Sequence, residues 1–358
     1  MSQAKFVVLK FGGAALQNSE TMKECLKKVK LHLRDSFPII VVSAMGDNTS
    51  SLRKLCMNMG QANSRETDLI LSTGEMISAA IFADLLNVNG LSAQSLCSWQ
   101  IPIITDSNHG QASIKSIHKE AILKLADNKI IPVITGFQGI TEDYTITTLG
   151  KGTSDLTAVV LAHLFDCQCY LYKEVSGIFN SDPKTASKST QLNQISYDNM
   201  NLASLHGAKV ICHQAIQYAK DHNVVINVKS AFDENDGTIV SSLRSTHILL
   251  TKQRAFLITL EPNESVNYEN AFLSYDKAWC LFTDESDYHK YIKKYNKNLV
   301  DDYIKITIVH TVPIAKNEFV DLISPYSNIF SCKQYYSWVC VKESCSEIVE
   351  QKLREKFM

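Results

Sequence analysis

The sequence has almost no net charge and no long apolar run. Its 358 residues carry 36 Lys and Arg against 37 Asp and Glu, a formal net charge of −1. This balance argues against a broad nucleic-acid or anionic membrane surface. No apolar run approaches the ~20 residues of a membrane helix, and Met1–Lys5 leads into a strand pattern without a signal-peptide layout. These absences predict a soluble cytoplasmic protein with one large core or two to three domains.

The sequence also lacks the cysteine and histidine spacings of metal or disulfide sites. Its 10 cysteines include no Cys-x-x-Cys, and the closest pair is Cys167 and Cys169. The 10 histidines are dispersed as well. We therefore expect reduced thiols and no resident metal site.

Strand and helix patterns alternate through the first two thirds of the chain, which predicts a parallel sheet with helices on both faces. Predicted strands are 5–10, 38–43, 91–95, 130–136, 169–172 and 224–228. Predicted helices are 19–34, one from about Ser50, 66–87, 113–127, 156–165 and one containing Gly207-Ala208-Lys209-Val210.

A lysine and two glycines end the first apolar strand, at Lys10-Phe11-Gly12-Gly13. Glycines expose backbone N–H groups, and a helix start favours negative charge, so this arrangement is typical of phosphate binding. An ordinary turn with a solvated lysine fits the stretch alone equally well, and it lacks the Walker spacing. Polar residues 43–49 and Gly136 follow other strands, and ligands of such sheets bind at the strands' carboxyl ends.

A second polar stretch, Gly150-Lys151-Gly152-Thr153-Ser154-Asp155, precedes an apolar helix. A purely structural interpretation makes Ser154 a helix cap and Asp155 a favourable first-turn carboxylate. From this stretch alone, that interpretation and a functional one both stay open.

Taken together, the ordered motifs of residues 5–240 resemble the aspartate kinases (aspartokinases) of the amino-acid kinase superfamily. These motifs are Lys10-Phe11-Gly12-Gly13, Val42-Ser43-Ala44-Met45-Gly46, Ser72-Thr73-Gly74-Glu75, Gly136-Phe137-Gln138-Gly139, Thr148–Asp155, Gly177-Ile178-Phe179 with Asp182-Pro183, and Gly207-Ala208-Lys209-Val210. The segment Arg65-Glu66-Thr67-Asp68 is also similar to the family.

The resemblance implies an α/β fold and transfer of the ATP γ-phosphoryl group to the β-carboxylate of L-aspartate, giving 4-phospho-L-aspartate, the first step of aspartate-family amino-acid biosynthesis. It implies ATP and Mg²⁺ as cofactors. It places Lys10 and Asp155 in catalysis. The implied ATP-binding residues are Lys10, Gly12, Gly13, Lys173, Glu174, Phe179, Lys184 and Lys209. The implied aspartate-binding residues are Ser43, Thr49, Glu75, Lys151 and Ser154.

The chain departs from the family pattern at several positions. Ala14-Ala15 lack the usual hydroxyls, Lys151 stands where Arg is usual, and Thr153 replaces a glycine. Ser176 replaces Asp, Phe179 replaces Tyr, and Cys212-His213 replaces His-Pro. These departures leave two alternatives open: a kinase with another acid acceptor, and a non-catalytic protein that binds nucleotide or amino acid.

After residue 240 the composition changes, and we expect a second domain at 241–358. Predicted strands are 253–260, 278–283, 304–310, 328–335 and 337–342, and predicted helices are 285–296, 316–324 and 344–356. The last five elements give a β-α-β-β-α order, which predicts an antiparallel sheet with helices on one face. The pattern resembles degenerate ACT regulatory domains, which implies a homodimer formed through this region.

Overall fold

The computed structural model describes residues 5–58, 65–183, 189–243, 249–260, 271–273, 278–282, 302–310, 314–327, 330–334 and 336–358. The chain divides into two compact units. Unit 1 comprises residues 1–178, 191–200 and 210–244, and unit 2 comprises residues 179–190, 201–209 and 245–358. Two short segments before residue 240 therefore fold with the C-terminal part of the chain.

An eight-stranded sheet forms the centre of unit 1, and helices flank it. Its strands are β1 (Phe6–Phe11), β2 (Phe37–Val42), β3 (Ala93–Leu96), β6 (Ile131–Thr135), β9 (Cys169–Lys173), β10 (Gln194–Ser196), β11 (Ile226–Ser230) and β12 (Thr238–Ser241). Their order is β10-β12-β11-β9-β1-β2-β6-β3. Every neighbouring pair is parallel except β11 and β12. The predicted parallel fold is confirmed.

The helices of this part of the chain connect and cover the strands. They are α1 (Ser19–His32), α2 (Asn48–Asn58), α3 (Arg65–Val88), α4 (Glu120–Asp127), α5 (Ser154–Leu164), α6 (Tyr197–Leu205) and α7 (His213–His222). Asn18 starts α1 with a capping box: its side chain accepts from the backbone N–H of Thr21, and its own N–H donates to the Thr21 hydroxyl. The central strands read as unbroken apolar runs because both of their faces are covered; all five residues of β6 are buried.

Helix α3 is long and apolar enough, by length and composition alone, to cross a membrane. The mean hydropathy of its most apolar 18-residue window is 1.6, and half of that window is buried inside the protein. The helix predicted at 66–87 is confirmed by α3, but the statement that no apolar run approaches the length of a membrane helix is wrong by this test. Polar residues such as Asp68 and Glu75 interrupt the run.

Three predictions in this region were wrong in part. Residues 113–127 do not form one helix: Ile114–Ile117 is strand β5, which joins β4 (Ile103–Thr105), β7 (Gln138–Ile140) and β8 (Ile146–Thr148) in a sheet of order β5-β4-β7-β8. Residues 207–210 lie between α6 and α7 rather than in a helix. The strand predicted at 224–228 begins at Ile226. Short three- and four-residue strands give too few apolar repeats for a periodicity to be recognised.

A six-stranded antiparallel sheet forms the larger part of unit 2. Its strands are β13 (Leu249–Leu260), β14 (Ala271–Leu273), β15 (Ala278–Phe282), β16 (Asp302–Val309), β17 (Phe330–Cys332) and β18 (Tyr336–Lys342), in the order β14-β15-β13-β16-β18-β17. Helices α8 (Lys316–Ile323) and α9 (Ser346–Phe357) pack on one face through a shared apolar core. The predicted β-α-β-β-α order is confirmed, and the predicted helix 285–296 lies outside the described residues.

Helix α9 is joined to strand β13 by a buried carboxylate. The Glu350 side chain, 7% exposed, pairs with Lys252 and, at 2.7 Å, with Arg354. Arg354 also donates to the hydroxyl of Ser181 at 2.6 Å. One acid therefore compensates two partly buried cations, and this fixes the last helix to the sheet.

We expect Glu350→Ala to lower the free energy of unfolding by about 3 kcal/mol, because removing one partner leaves buried charges uncompensated. Denaturant unfolding of the full chain measures this change. The control is Glu355→Ala, since Glu355 is exposed on the same helix. Equal effects of the two substitutions would contradict a structural role for the Glu350 network.

Candidate active site

The carboxyl ends of four neighbouring strands form the rim on which the sequence motifs meet. Strand β1 ends at Phe11, between β9 and β2, and β6 follows β2. The backbone pairing continues just past the strand ends: the Ser43 N–H donates to the Phe11 carbonyl at 3.2 Å, and the Gly136 N–H donates to the Val42 carbonyl at 3.0 Å. The predicted polar rim is therefore one continuous surface of unit 1.

A buried carboxylate between two lysines occupies this rim. Oδ1 of Asp155 lies 2.7 Å from Nζ of Lys10. Nζ of Lys173 lies 2.9 Å from Oδ1 and 2.7 Å from Oδ2 of the same carboxylate. Lys10 extends from β1, Lys173 from the neighbouring β9, and Asp155 from the first turn of α5, where the helix dipole also favours a negative charge. The structure brings Lys10 and Asp155 together, as the sequence predicted.

The electrostatics of this cluster leave an excess of positive charge. Burial by itself raises the pKa of Asp155, but Lys10 and Lys173 outweigh it and hold that pKa below its ordinary value. Burial, together with repulsion from Lys10, lowers the pKa of Lys173 in spite of Asp155. Two ammonium groups share one carboxylate, so the site can accept an additional anion.

The glycines after Lys10 act differently from the prediction. The Gly12 N–H donates to the Tyr172 carbonyl at 3.1 Å, so it is not left uncovered for an anion. Gly13 has a right-handed φ of −57°. A Cβ atom at Gly13 would lie 2.8 Å from the Ala44 carbonyl oxygen, closer than real Cβ atoms approach. Gly13 is therefore required for the close approach of two backbones.

Glu75 places a second buried carboxylate in the same unit, on α3. Its Oε1 accepts from the Ala44 N–H at 3.0 Å, whereas its buried Oε2 has no hydrogen-bond partner. Burial raises the pKa of Glu75 to about 7, although hydrogen bonds and the charge of Lys10 oppose the shift. A buried oxygen without a donor is costly, which makes Oε2 a ready acceptor for a ligand's N–H group.

The loop before α5 carries the next predicted residues. Lys151 is exposed between Gly150 and Gly152, whose φ values of 103° and 82° favour glycine. Thr153 has a φ of −80°, so its replacement of the family glycine needs no left-handed backbone. Ser154 is the first residue of the helix and lies against Gly136, where an added Cβ would come within 2.7 Å of the Ser154 Cβ. Ser154 is therefore not the helix cap.

The remaining predicted residues are dispersed over both units. Ser43 follows β2, and Thr49 lies in the first turn of α2; both are half-buried in unit 1. Glu174 is exposed just after β9. Phe179 and Lys209 belong to unit 2. Lys184 lies outside the described residues.

Sequence reasoning missed two residues beside this site. Phe137 has a φ of +69°, a strained value for a bulky side chain, and its N–H donates to the hydroxyl of Thr157 at 3.3 Å. No sequence pattern marks such a backbone angle. Asp68 is fully buried and accepts three hydrogen bonds. Its position seven residues before Glu75, on the same helical face, is a sequence signal that could have identified it.

Candidate metal ligands do not cluster within the described residues. Groups of three or more His, Cys, Asp or Glu side chains with suitable geometry are absent from the described part of the chain. Both oxygens of Asp155 already contact lysines. Mg²⁺ prefers one or two carboxylates together with substrate phosphates over an all-protein cage. A Mg²⁺ ion that arrives with a nucleotide therefore fits this site better than a resident ion.

Solved aspartate kinases share the fold of the whole chain. The aspartokinase III of E. coli, solved with aspartate and ADP, matches with a TM-score of 0.77 at 18% identity, covering 99% of this chain and 100% of that one. The aspartate kinase of Clostridium acetobutylicum matches with a TM-score of 0.71 at 18% identity, covering 98% of this chain and 100% of that one. At these identities the matches establish the fold.

Sequence relatives match the first two thirds of the chain. The aspartokinase of Geobacillus stearothermophilus is 38% identical over 238 residues, 65% of this chain and 58% of that protein. The aspartokinase of Rickettsia prowazekii is 35% identical over 243 residues, 66% of this chain and 54% of that protein. The chain thus spans less than two thirds of the length of these relatives. The model of the amino acid kinase family matches residues 5–230, so the chain belongs to the amino acid kinase family.

Proposed function

We propose that this protein is an aspartate kinase that transfers the γ-phosphoryl group of ATP to the β-carboxylate of L-aspartate. The observation that carries the proposal is the buried cluster in which Asp155 holds Lys10 and Lys173 at 2.7 Å. Relatives named aspartokinase at 38% and 35% identity support the same reaction. The product is 4-phospho-L-aspartate, which enters amino-acid biosynthesis.

The chemistry needs no general base. A carboxylate with an ordinary pKa near ~3.9 is ionised at neutral pH and attacks phosphorus directly. The barrier lies in bringing an anionic nucleophile to a polyanionic triphosphate, so positioning and cationic stabilisation dominate. We assign Lys10 and Lys173 to the charge on the transferring phosphoryl group. Asp155 orients both ammonium groups and reduces their mutual repulsion. Bound Mg²⁺ supplies further neutralisation of the phosphates.

Beyond the phosphoryl-transfer cluster, aspartate binding requires an acid for the α-ammonium group and a cation for the α-carboxylate. We assign Glu75 to the α-ammonium group, because its buried Oε2 lacks a donor, and Lys151 to the α-carboxylate. Ser43, Thr49 and Ser154 complete the acceptor site in this proposal. Glu174, Phe179, Lys184 and Lys209 are assigned to the nucleotide from the family pattern.

The test is ATP- and Mg²⁺-dependent formation of an acyl phosphate, trapped as the hydroxamate with hydroxylamine. We expect product with L-aspartate and loss of product in Lys10→Ala. A parallel screen of other amino acids and carbamate detects an altered acceptor. Calorimetric binding of ATP or aspartate without turnover would instead identify a non-catalytic binding protein.

We expect Asp155→Asn to lower kcat by about 10²-fold or more, since the neutral amide no longer holds two ammonium groups at the transferring phosphoryl. The melting temperature should fall far less, because the shape of the side chain is kept. Initial rates and thermal melting of the same preparation separate the two effects. Asp198→Asn, which breaks an exposed pair with Lys220, is the control. A parallel loss of rate and stability would indicate a structural helix-start role for Asp155.

The raised pKa of Glu75, about 7, makes two pH predictions. The ammonium of aspartate pairs with the ionised form, so kcat/KM for aspartate should rise as pH increases from 6 to 8, and Glu75→Gln should be low and flat.

The same raised pKa affects stability, because between about pH 4.5 and 7 Glu75 is ionised in the unfolded chain but still protonated in the folded protein. The free energy of unfolding of the ligand-free protein should therefore fall by about 3 kcal/mol as the pH rises through this range, and Glu75→Gln should remove this decrease.

The control for both measurements is Glu66→Gln, an exposed glutamate near the start of the same helix. It should leave the pH–rate profile and the pH dependence of unfolding unchanged. A wild-type pH–rate profile identical to that of Glu75→Gln would contradict ammonium binding by Glu75.

We further infer a cytoplasmic homodimer in which residues 241–358 form an ACT-like dimerisation and regulatory domain. A cytoplasmic protein is expected to keep its cysteines reduced, and the nine cysteines whose side chains the structure describes form no disulfide with one another. The antiparallel sheet with α8 and α9 on one face supports the ACT-like assignment. Light scattering of the full chain tests the dimer: we expect twice the mass of the 40.1 kDa chain, and a monomer would overturn this part.

A further inference from the structure

A fully buried carboxylate outside the proposed phosphoryl-transfer cluster joins three segments of unit 1. Asp68, near the start of α3, is 0% exposed. Its Oδ1 accepts from the Thr148 hydroxyl at 2.5 Å. Its Oδ2 accepts from the Gly110 N–H at 3.1 Å and from Nδ1 of His109 at 2.7 Å. A carboxylate only accepts, so the His109 tautomer must carry its proton on Nδ1.

The three bonds join the helix that carries Glu75, the strand that leads to Lys151 and the turn at residues 106–112. Glu75 lies two helical turns after Asp68 on the same face of α3. Thr148 ends β8, and Lys151 follows three residues later. The turn at residues 106–112 is bonded to α3 through Asp68 and to β8, since the Ala112 N–H donates to the Thr148 carbonyl at 2.9 Å.

The loop that carries Lys151 depends on such anchors. Gly150 and Gly152 both have left-handed φ values, and glycine gives the backbone much freedom. Before the loop, Thr148 is fixed by Asp68. After it, the Thr153 hydroxyl donates to the Gly150 carbonyl at 2.6 Å. A Cβ at Gly150 would lie 3.6 Å from the Gly110 carbonyl, so the 106–112 turn also lies directly against the loop.

We propose that Asp68 is a positioning residue that sets the separation of Glu75 and Lys151, and thereby the affinity for the amino-acid substrate. This inference depends on the proposed function for the identity of that substrate. Asp68 does not touch the substrate: it acts through Thr148 and the 106–112 turn. Burying an ionised carboxylate is costly unless its oxygens are fully hydrogen-bonded, and here three donors meet it. An apolar residue could fill the space but could not hold all three segments in register.

The chemistry of the side chain selects the test variant. Asparagine has nearly the volume of aspartate, but it presents one acceptor oxygen and one NH₂ group. With its oxygen toward Gly110 and His109 and its NH₂ group toward Thr148, whose hydroxyl can also accept, asparagine keeps all three connections. Asp68→Asn is therefore the conservative variant, whereas Asp68→Leu fills a similar space without any acceptor and breaks all three connections. Thr148→Val removes only the hydroxyl bond, and Thr148→Ser restores it.

The experiment measures L-aspartate affinity by calorimetry and the KM values for aspartate and ATP by the hydroxamate assay. We expect Asp68→Leu and Thr148→Val to weaken aspartate binding about tenfold, the effect of about 1.4 kcal/mol. The KM for ATP should change less than twofold, and Asp68→Asn and Thr148→Ser should keep most of the affinity. The matched control, Asp84→Leu, changes an exposed aspartate on the same helix and should change neither KM.

The outcomes separate this inference from the proposed function. A wild-type protein without aspartate-dependent turnover contradicts the proposed function. Turnover in the wild type together with unchanged aspartate affinity in Asp68→Leu overturns the positioning role alone. A lower melting temperature with unchanged KM values, or an equal rise in both KM values, also overturns it, because a merely structural carboxylate gives those results. Wild-type protein that does not bind aspartate overturns both.

Discussion

The ion cluster of Lys10, Asp155 and Lys173 is the interaction on which the site depends. Two ammonium groups and one carboxylate, all largely withdrawn from water, form an arrangement that is costly to bury and carries an excess positive charge. The parallel sheet brings the three groups together, because β1 and β9 are neighbours and their carboxyl ends lie at the start of α5. The excess positive charge can attract an anion such as the triphosphate of the proposed reaction.

The acceptor side of the site has the opposite electrostatic problem. Glu75 is a single buried acid with one unpartnered oxygen, and burial favours its neutral form. An incoming ammonium group would favour its ionised form, so substrate binding and ionisation assist each other. Lys151 is exposed on a loop between two glycines, and the side chains of Thr148 and Thr153 help to anchor that loop. A lysine there also lacks the planar fork of the arginine usual in the family, which makes its placement more important.

Much of this could be predicted from sequence because the long strands and helices repeat their pattern several times. Lys10 ends a strong apolar strand and Asp155 begins an apolar helix, and the family resemblance places both in one site. The four-stranded sheet could not be predicted, since strands such as Ile103–Thr105 are too short to show a hydrophobic period. Gly13 was assigned to a turn, but its role is a close backbone approach that depends on Ala44, far away in sequence. The positive φ of Phe137 and the hydrogen bonds of Asp68 likewise depend on contacts between segments that are distant in the sequence.

The two folded units are not separated by a single boundary at residue 240. Residues 179–190 and 201–209 fold with the C-terminal sheet. The Leu250 N–H donates to the Asn180 carbonyl at 2.8 Å, Arg354 donates to Ser181, and the Thr251 hydroxyl donates to the His206 carbonyl at 2.7 Å. These contacts hold the segments that carry Phe179 and Lys209, both assigned to the nucleotide in our proposal. Strand β13 and helix α9 are thus part of what shapes those segments, so a perturbation of the last helix acts on residues 180 and 181 through bonds of a single folded unit.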